Sequence, residues 1–343
     1  MGSDMLPPFS LPEALGRWQS APIVTAIAVI AAAAYLWGVF RVARRHPARP
    51  WPRWRTGMFL GGVLVIVLAT ESGVGAYDDV LFWDHMIQHL LLIMVAPALL
   101  IAGRPVTLLL HASRNPLHTW VKRAARSRVA AALTWPPFGV AAYAATIAGT
   151  HLTSFMNLVL TNDGVHNAEH ALYIIVGYLY LLPLIGSEPI RWRISYPVRL
   201  IFLFIAMPVD AFTGVALGYY SSDPFPVTAG MRRPWGPSPL DDVHIGGAVM
   251  WVGGSAIMFV LIMLTFLAWS RAGQRADGRG WLESARRASL ENLTTADAPQ
   301  AAAASASGAS RPARSDIDED DEQLAAYNAF LARVNQAGQQ APH

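Results

Sequence analysis

Seven stretches of this chain are long and apolar enough to cross a lipid bilayer, which takes about 20 residues. No other feature constrains the fold as much. They run roughly over 21–40, 57–76, 82–102, 129–149, 167–186, 198–218 and 245–269. The expected fold is therefore all-α, a polytopic bundle of seven transmembrane helices. Composition agrees: 53% of residues are hydrophobic and only 14% charged, a balance usual for a membrane protein and unusual for a soluble one.

Arginines decide the expected orientation. They crowd the connections between spans one and two (Arg41, Arg44, Arg45, Arg49, Arg53, Arg55), three and four, and five and six, and they follow span seven. The alternate connections 77–81 and 150–166 carry no base, and only 219–244 departs mildly, with Arg232 and Arg233. The positive-inside rule then places the N-terminus outside and the C-terminus in the cytoplasm. The first residues, MGSDMLPPFSLPEALGRW, lack the basic start, short apolar core and cleavage site of a signal peptide. The first span is expected to stay attached.

On that topology the ligand-type side chains gather in one layer. His85 and His89 head span three, His151 ends span four, His166 and His170 head span five, and His244 heads span seven. All fall at outer ends, as do Asp78, Asp79, Asp84, Glu169, Asp210, Asp241 and Asp242. Two imidazoles four residues apart share a helix face, and ionisable groups inside a membrane are costly enough to suggest function. The five histidines of spans three, five and seven are expected near the outer surface, within about one helix spacing, ~8–10 Å, of their neighbours. The alternative for the His85/His89 pair is hydrogen bonding to Gln88, Asp84 or water.

The chain contains no cysteine, which excludes disulfides, thiolate metal sites and thiol catalysis. A metal here must use His, Met, carboxylate or backbone oxygen. Imidazole is a common ligand of copper, zinc and haem iron. The segment HNAEH at 166–170 formally matches the H-x-x-E-H zinc-protease pattern. It opens a membrane span without a soluble domain to hold a peptide, so Glu169 is better read as orienting an imidazole or adding charge to a cation site. Asp210 stands alone in span six behind Pro208 and is expected to face inward, either toward a metal or held by Thr213 or a histidine of another span. Gly246, Gly247, Gly253 and Gly254 suit close helix packing.

Three segments are expected: an extracytoplasmic lead at 1–20, the seven-helix domain at 21–270, and a cytoplasmic, largely disordered tail at 271–343. The tail holds a short helix at 281–294, an Ala/Ser/Pro/Gly-rich run at 296–315, and the acidic block DIDEDDE at 316–322. A last stripe of Leu324, Tyr327, Leu331 and Val334 has helical spacing. The middle of the tail cannot bury enough apolar surface to fold alone.

Four blocks resemble one family in order. HMIQHLLLIMVAPALLIAGRPVTLLL, HNAEHALYIIVGYLYLLPLIGSEP, PVRLIFLFIAMPVDAFTGVAL and DDVHIGGAVMWVGG are similar to the CtaG-type cytochrome c oxidase assembly proteins over roughly residues 20–270. The Pro-rich lead-in LPPFSL is similar to that of actinobacterial members. The resemblance implies a seven-span bundle in the bacterial cell membrane that serves maturation of the haem–copper oxidase and aids delivery of copper. Carried over, the candidate copper ligands are His85, His89, His166, His170 and His244, with Asp210 and Glu169 supporting and His151 a weaker candidate. Two departures stand out. The family's Met/His-rich N-terminus is reduced here to Met1 and Met5, and the acidic tail is outside the family pattern.

The function expected from these signs is that of a non-enzymatic assembly factor. It would hold copper at the outer face and pass it to cytochrome c oxidase subunits, with other copper chaperones as further partners. The lipid bilayer is its setting, and no nucleic-acid partner is expected. Two alternatives remain. A haem-binding electron carrier would use histidines from two helices on one iron. A copper permease would need polar residues along the whole path, and spans three and five turn apolar below their histidines.

Overall fold

The computed structural model describes residues 6–192, 194–225 and 234–296, and all regular structure there is helical. The chain divides into two units, Met1–Gly273 and Gln274–His343. The second is described only through residue 296, as helix. The Ala/Ser/Pro/Gly-rich run, the acidic block and the terminal stripe fall outside the described residues.

Among the described residues, six helical segments are long and apolar enough to cross a bilayer: Pro22–Arg45, Arg53–Tyr77, Phe82–Ala112, Asp163–Ile185, Tyr196–Gly218 and Pro239–Gln274. In element terms, α1 (Leu11–Gly16) is followed by α2 (Pro22–Arg45), α3 (Arg53–Glu71) and α4 (Gly73–Tyr77). The third span comprises α5 (Phe82–Leu90), a π turn at Leu91–Val95, α6 (Ala96–Ala102) and α7 (Pro105–Ala112). The expected stretch 129–149 is not one long helix. It is split into α9 (Arg128–Leu133) and α10 (Pro136–His151), after the short α8 (Leu117–Ala125). The cause is local: Pro136 holds Trp135 extended, at φ −71 and ψ 123, because a residue before proline avoids the helical region. After α11 (Phe155–Val159), α12 (Asp163–Ile185) and α13 (Tyr196–Gly218) form two further spans, and α14 (Pro239–Ala296) opens the last.

The burial pattern inverts that of a soluble protein. Large apolar side chains such as Ile23, Ile30, Phe204 and Phe212 are exposed, whereas His85, His89, Glu169 and Asp210 are buried. A bilayer would cover the first set, and the second must find partners inside the bundle. The helix α12 is central: it packs against the third span, α10 and α13. Closest approach occurs where a Cβ on Gly177 of α12 would come within 1.9 Å of the Ile93 carbonyl oxygen. Pro97 lacks the N–H that would bond this carbonyl four residues back, and the helix winds as a π turn there. Gly214 and Gly247 make the corresponding approach between α13 and α14. A Cβ on either would fall within 2.4–2.6 Å of the other's carbonyl oxygen.

Caps set where the spans begin. Asp242 of α14 accepts the N–H groups of Phe82 and Trp83, both at 3.1 Å, and so starts α5. The Asn162 side chain accepts from Gly164 and Val165 N–H and starts α12. Residues before α2 lie across this end: the Tyr77 hydroxyl donates to the Pro7 carbonyl at 2.9 Å. Phe9 meets the rings of Tyr77 and Trp83 edge-on. Past the other end of α12, Glu188 accepts the Val106 N–H at 3.1 Å, the Thr107 N–H at 2.8 Å and the Thr107 hydroxyl, and caps α7.

Candidate metal centre

Two capped helices bring two histidine pairs face to face. On α5, His85 and His89 lie one turn apart, with ring centroids 4.1 Å from each other. On α12, His166 and His170 do the same at 4.4 Å, and the His85 and His166 rings are 5.2 Å apart across the helix interface. Glu169 sits on the same face of α12. Its Oε2 is 3.4 Å from His89 Nε2 and 3.7 Å from His85 Nε2.

Hydrogen bonds determine which nitrogen of His89, His166 and His170 is left over. The Gln88 side chain donates to the Ala69 carbonyl at 2.9 Å and to Asp78. Both of its N–H donors are thereby spent, so its oxygen must accept from His170 Nε2–H at 2.8 Å. His170 Nδ1 then carries the lone pair. His151 Nδ1 faces the Ile147 carbonyl at 2.8 Å and must donate to it. His151 Nε2 therefore accepts from His89 Nδ1–H at 3.1 Å, leaving the lone pair of His89 on Nε2. His166 Nδ1 donates to Asp79 at 3.1 Å, leaving Nε2.

The nitrogens left over are the ones without a hydrogen-bond partner among the described residues. His89 Nε2, His166 Nε2, His170 Nδ1, both nitrogens of His85 and both oxygens of Glu169 are buried and unpartnered. Buried polar atoms without partners cost about 1–3 kcal/mol each, so a cluster of them calls for a ligand. A metal ion fits this demand: it accepts lone pairs from neutral imidazoles and a carboxylate, and for His89, His166 and His170 the hydrogen bond of the other ring nitrogen fixes the tautomer. Ligand atoms of His85, His89 and Glu169 all lie within 4.8 Å of one another, and so do those of Asp78, His85 and His166. The nitrogen and oxygen donors suit copper, zinc or non-haem iron.

Not every expected residue joins this cluster. His151 uses both nitrogens, one on His89 and one on the Ile147 carbonyl, and so orients a neighbour. His244 Nε2 donates to the Tyr220 carbonyl at 2.9 Å. Asp210 is fully buried and takes the Tyr143 hydroxyl, at 2.7 and 2.9 Å to its two oxygens. Gly254 lies against it, with room for no more than a tight Cβ contact at 3.0 Å. The H-x-x-E-H match also dissolves in three dimensions, because Glu169 turns to the histidines of α5.

Sequence reasoning named Asp78 and Asp79 only as acids of the outer layer and Gln88 only as a hydrogen-bond partner, and it missed Tyr173. Asp78 and Asp79 lie in the short base-free connection after α4. They take part in the cluster through His166, whose Nε2 is 3.7 Å from Asp78. Burial pushes the Asp78 carboxyl up to about 8, against the opposing pull of His166. Gln88 and Tyr173 support the rings, Tyr173 by stacking on His89 at 4.0 Å. The visible signal was Gln88 at the turn between two histidines, where a polar side chain on a buried face needs partners.

Comparison with known proteins adds a family. The model of the cytochrome c oxidase caa3 assembly factor family matches residues 33–272. An uncharacterized protein of Mycobacterium bovis is 30% identical over 293 residues, covering 81% of this chain and 43% of that protein. One of Mycobacterium leprae is 28% identical over 286 residues, covering 80% and 43%. This chain thus spans under half the length of the curated relatives it matches. No solved structure matches it.

Proposed function

The chain belongs to the cytochrome c oxidase caa3 assembly factor family, and from that premise we propose that it binds copper at the α5–α12 histidine cluster and hands it to the oxidase during assembly. The observation that carries this reading is the convergence of ligand atoms from His85, His89, His166 and Glu169, buried and without hydrogen-bond partners among the described residues, in a thiol-free site. Imidazole and carboxylate hold copper less tightly than thiolate would, which favours release to a recipient. The ion is cargo, so the protein needs no catalytic group of its own.

Placement follows from the same reading. The six apolar helices make a multi-pass membrane protein, and α10 completes a seventh crossing beside α12 and α13. With the arginine-rich connections in the cytoplasm of a bacterium, the cluster faces the outer side of its plasma membrane. Three segments follow, a lead at 1–20, the bundle at 21–270 and a cytoplasmic tail at 271–343. Oxidase subunits and other copper chaperones are the partners.

Packing speaks against the two alternatives. The imidazoles lie ring to ring, with His89 stacked on Tyr173, an arrangement that suits a single ion better than a porphyrin. Below the cluster Leu92, Ile93, Met94 and Ile101 are buried and close the way a permeating ion would take.

The test is metal analysis of the purified protein beside a His85→Ala/His89→Ala variant, with oxidase activity measured in the same cells. Copper bound by the parent and lost from the variant, together with oxidase activity, is the expected result. Unchanged copper and unchanged oxidase would remove the reading.

A further inference from the structure

His85 belongs to two triads at once. Asp78, His85 and His166 converge within 4.8 Å, and His85, His89 and Glu169 converge within the same limit. Each triad offers two imidazoles and one carboxylate. Among the described residues neither nitrogen of His85 has a hydrogen-bond partner, and its side chain is fully buried.

The triads differ in their access to water. Asp78 and Asp79 line a small cavity together with Asp242, and the Asp79 side chain is 56% exposed. Through Asp78 this cavity adjoins the first triad. The second triad lies behind it, with His89 enclosed by Tyr173 and His151.

We propose that the two triads are successive stations for one copper ion, which enters at Asp78 and Asp79 and pivots inward on His85. The proposal rests on the copper-binding reading above and adds a direction and a route to it. A shared ligand lets the ion change stations without being released bare into a low-dielectric interior, where an uncompensated charge is very costly. Incoming and outgoing ligands are alike: His166 and Asp78 leave while His89 and Glu169 arrive. Matched donor sets make the two stations close in affinity, which suits onward passage rather than storage. The exposed carboxylate of Asp79 at the entrance attracts cations. No redox step is involved.

The test uses the full chain in lipid nanodiscs, stripped of metal and mixed anaerobically with Cu(I), with loading followed by competition with a chromophoric chelator. Asp78→Asn and His166→Gln should each slow loading at least tenfold. His89→Gln and Glu169→Gln should surrender bound copper to the chelator at least tenfold faster than the parent. Asp79→Asn removes the charge of a half-exposed side chain, keeps an oxygen to accept from His166 Nδ1–H, and serves if the buried variants misfold. It should slow loading at least threefold at low ionic strength, and an unchanged rate would count against the route. If the parent holds copper but Asp78→Asn and His166→Gln load at the parental rate, the route is wrong and the copper-binding reading stands. If the parent binds no copper, both fall.

Discussion

His89 Nδ1 lies 3.1 Å from His151 Nε2, and the far nitrogen of His151 lies 2.8 Å from the Ile147 carbonyl. The relay fixes one tautomer of His89 and aims its Nε2 lone pair at Glu169. His151 therefore acts on the metal centre through another residue. Loss of such an outer hydrogen bond costs about 10–100-fold in metal affinity. His151→Ala should weaken copper binding by that factor without lowering the number of ions bound at saturation. A chelator competition titration checks it, and a lost equivalent would make His151 a direct ligand.

The close approach of Gly177 to Ile93 holds α12 against the third span. A methyl group there would meet backbone, which cannot swing away. Gly177→Ala should therefore destabilise the protein by about 1–3 kcal/mol and also lower its copper content. The shift needed to relieve the clash would part Glu169 and His166 from His85. Gly61→Ala, whose Cβ would meet only Leu99 at 3.9 Å, is the control and should lower neither. Thermal unfolding and metal analysis on the same samples give both readouts.

Asp210 and Tyr143 form a separate buried pair. Tyr143→Phe leaves the carboxyl without its donor and should cost about 1–3 kcal/mol. Copper stoichiometry should not change, because neither side chain takes part in the two triads. Copper lost in step with stability-corrected yield would return Asp210 to the metal site.

Glu188 gives a pH dependence outside the spans. Burial raises its carboxyl above the usual range, although Thr107, Val106 and Arg104 pull it down. An acid raised in the folded state contributes stability that is fully present below its unfolded pKa. That contribution is lost as pH rises through the folded value. Glu188→Gln removes this titration, so the melting temperature of the variant relative to the parent should rise with increasing pH. A difference that stays flat with pH would refute it.

Much of the fold was legible in the sequence because membrane helices announce themselves locally, by length and apolarity. The exception, at Trp135 and Pro136, is instructive. Hydropathy summed over 129–149 is blind to the proline pair that ends one helix and starts another. The histidine layer was legible too, since topology and four-residue spacing place His85, His89, His166 and His170 at helix ends on defined faces. The destinations of His151, His244 and Asp210 were not, because each is taken by a partner far away in the chain or by a backbone carbonyl.

The sequence by itself determined the helices, which ends of the spans carry imidazoles, and the absence of thiols. These follow from local hydropathy, periodicity and composition. Only the tertiary structure decided which nitrogens remain free and which carboxylates meet them. That depends on how α12 is drawn against the third span at Gly177 and on how Gln88, Asp79 and His151 spend their own hydrogen bonds. A lone pair is left for a metal only after every neighbour has been satisfied, and that accounting is settled by three-dimensional contact between segments far apart in the chain.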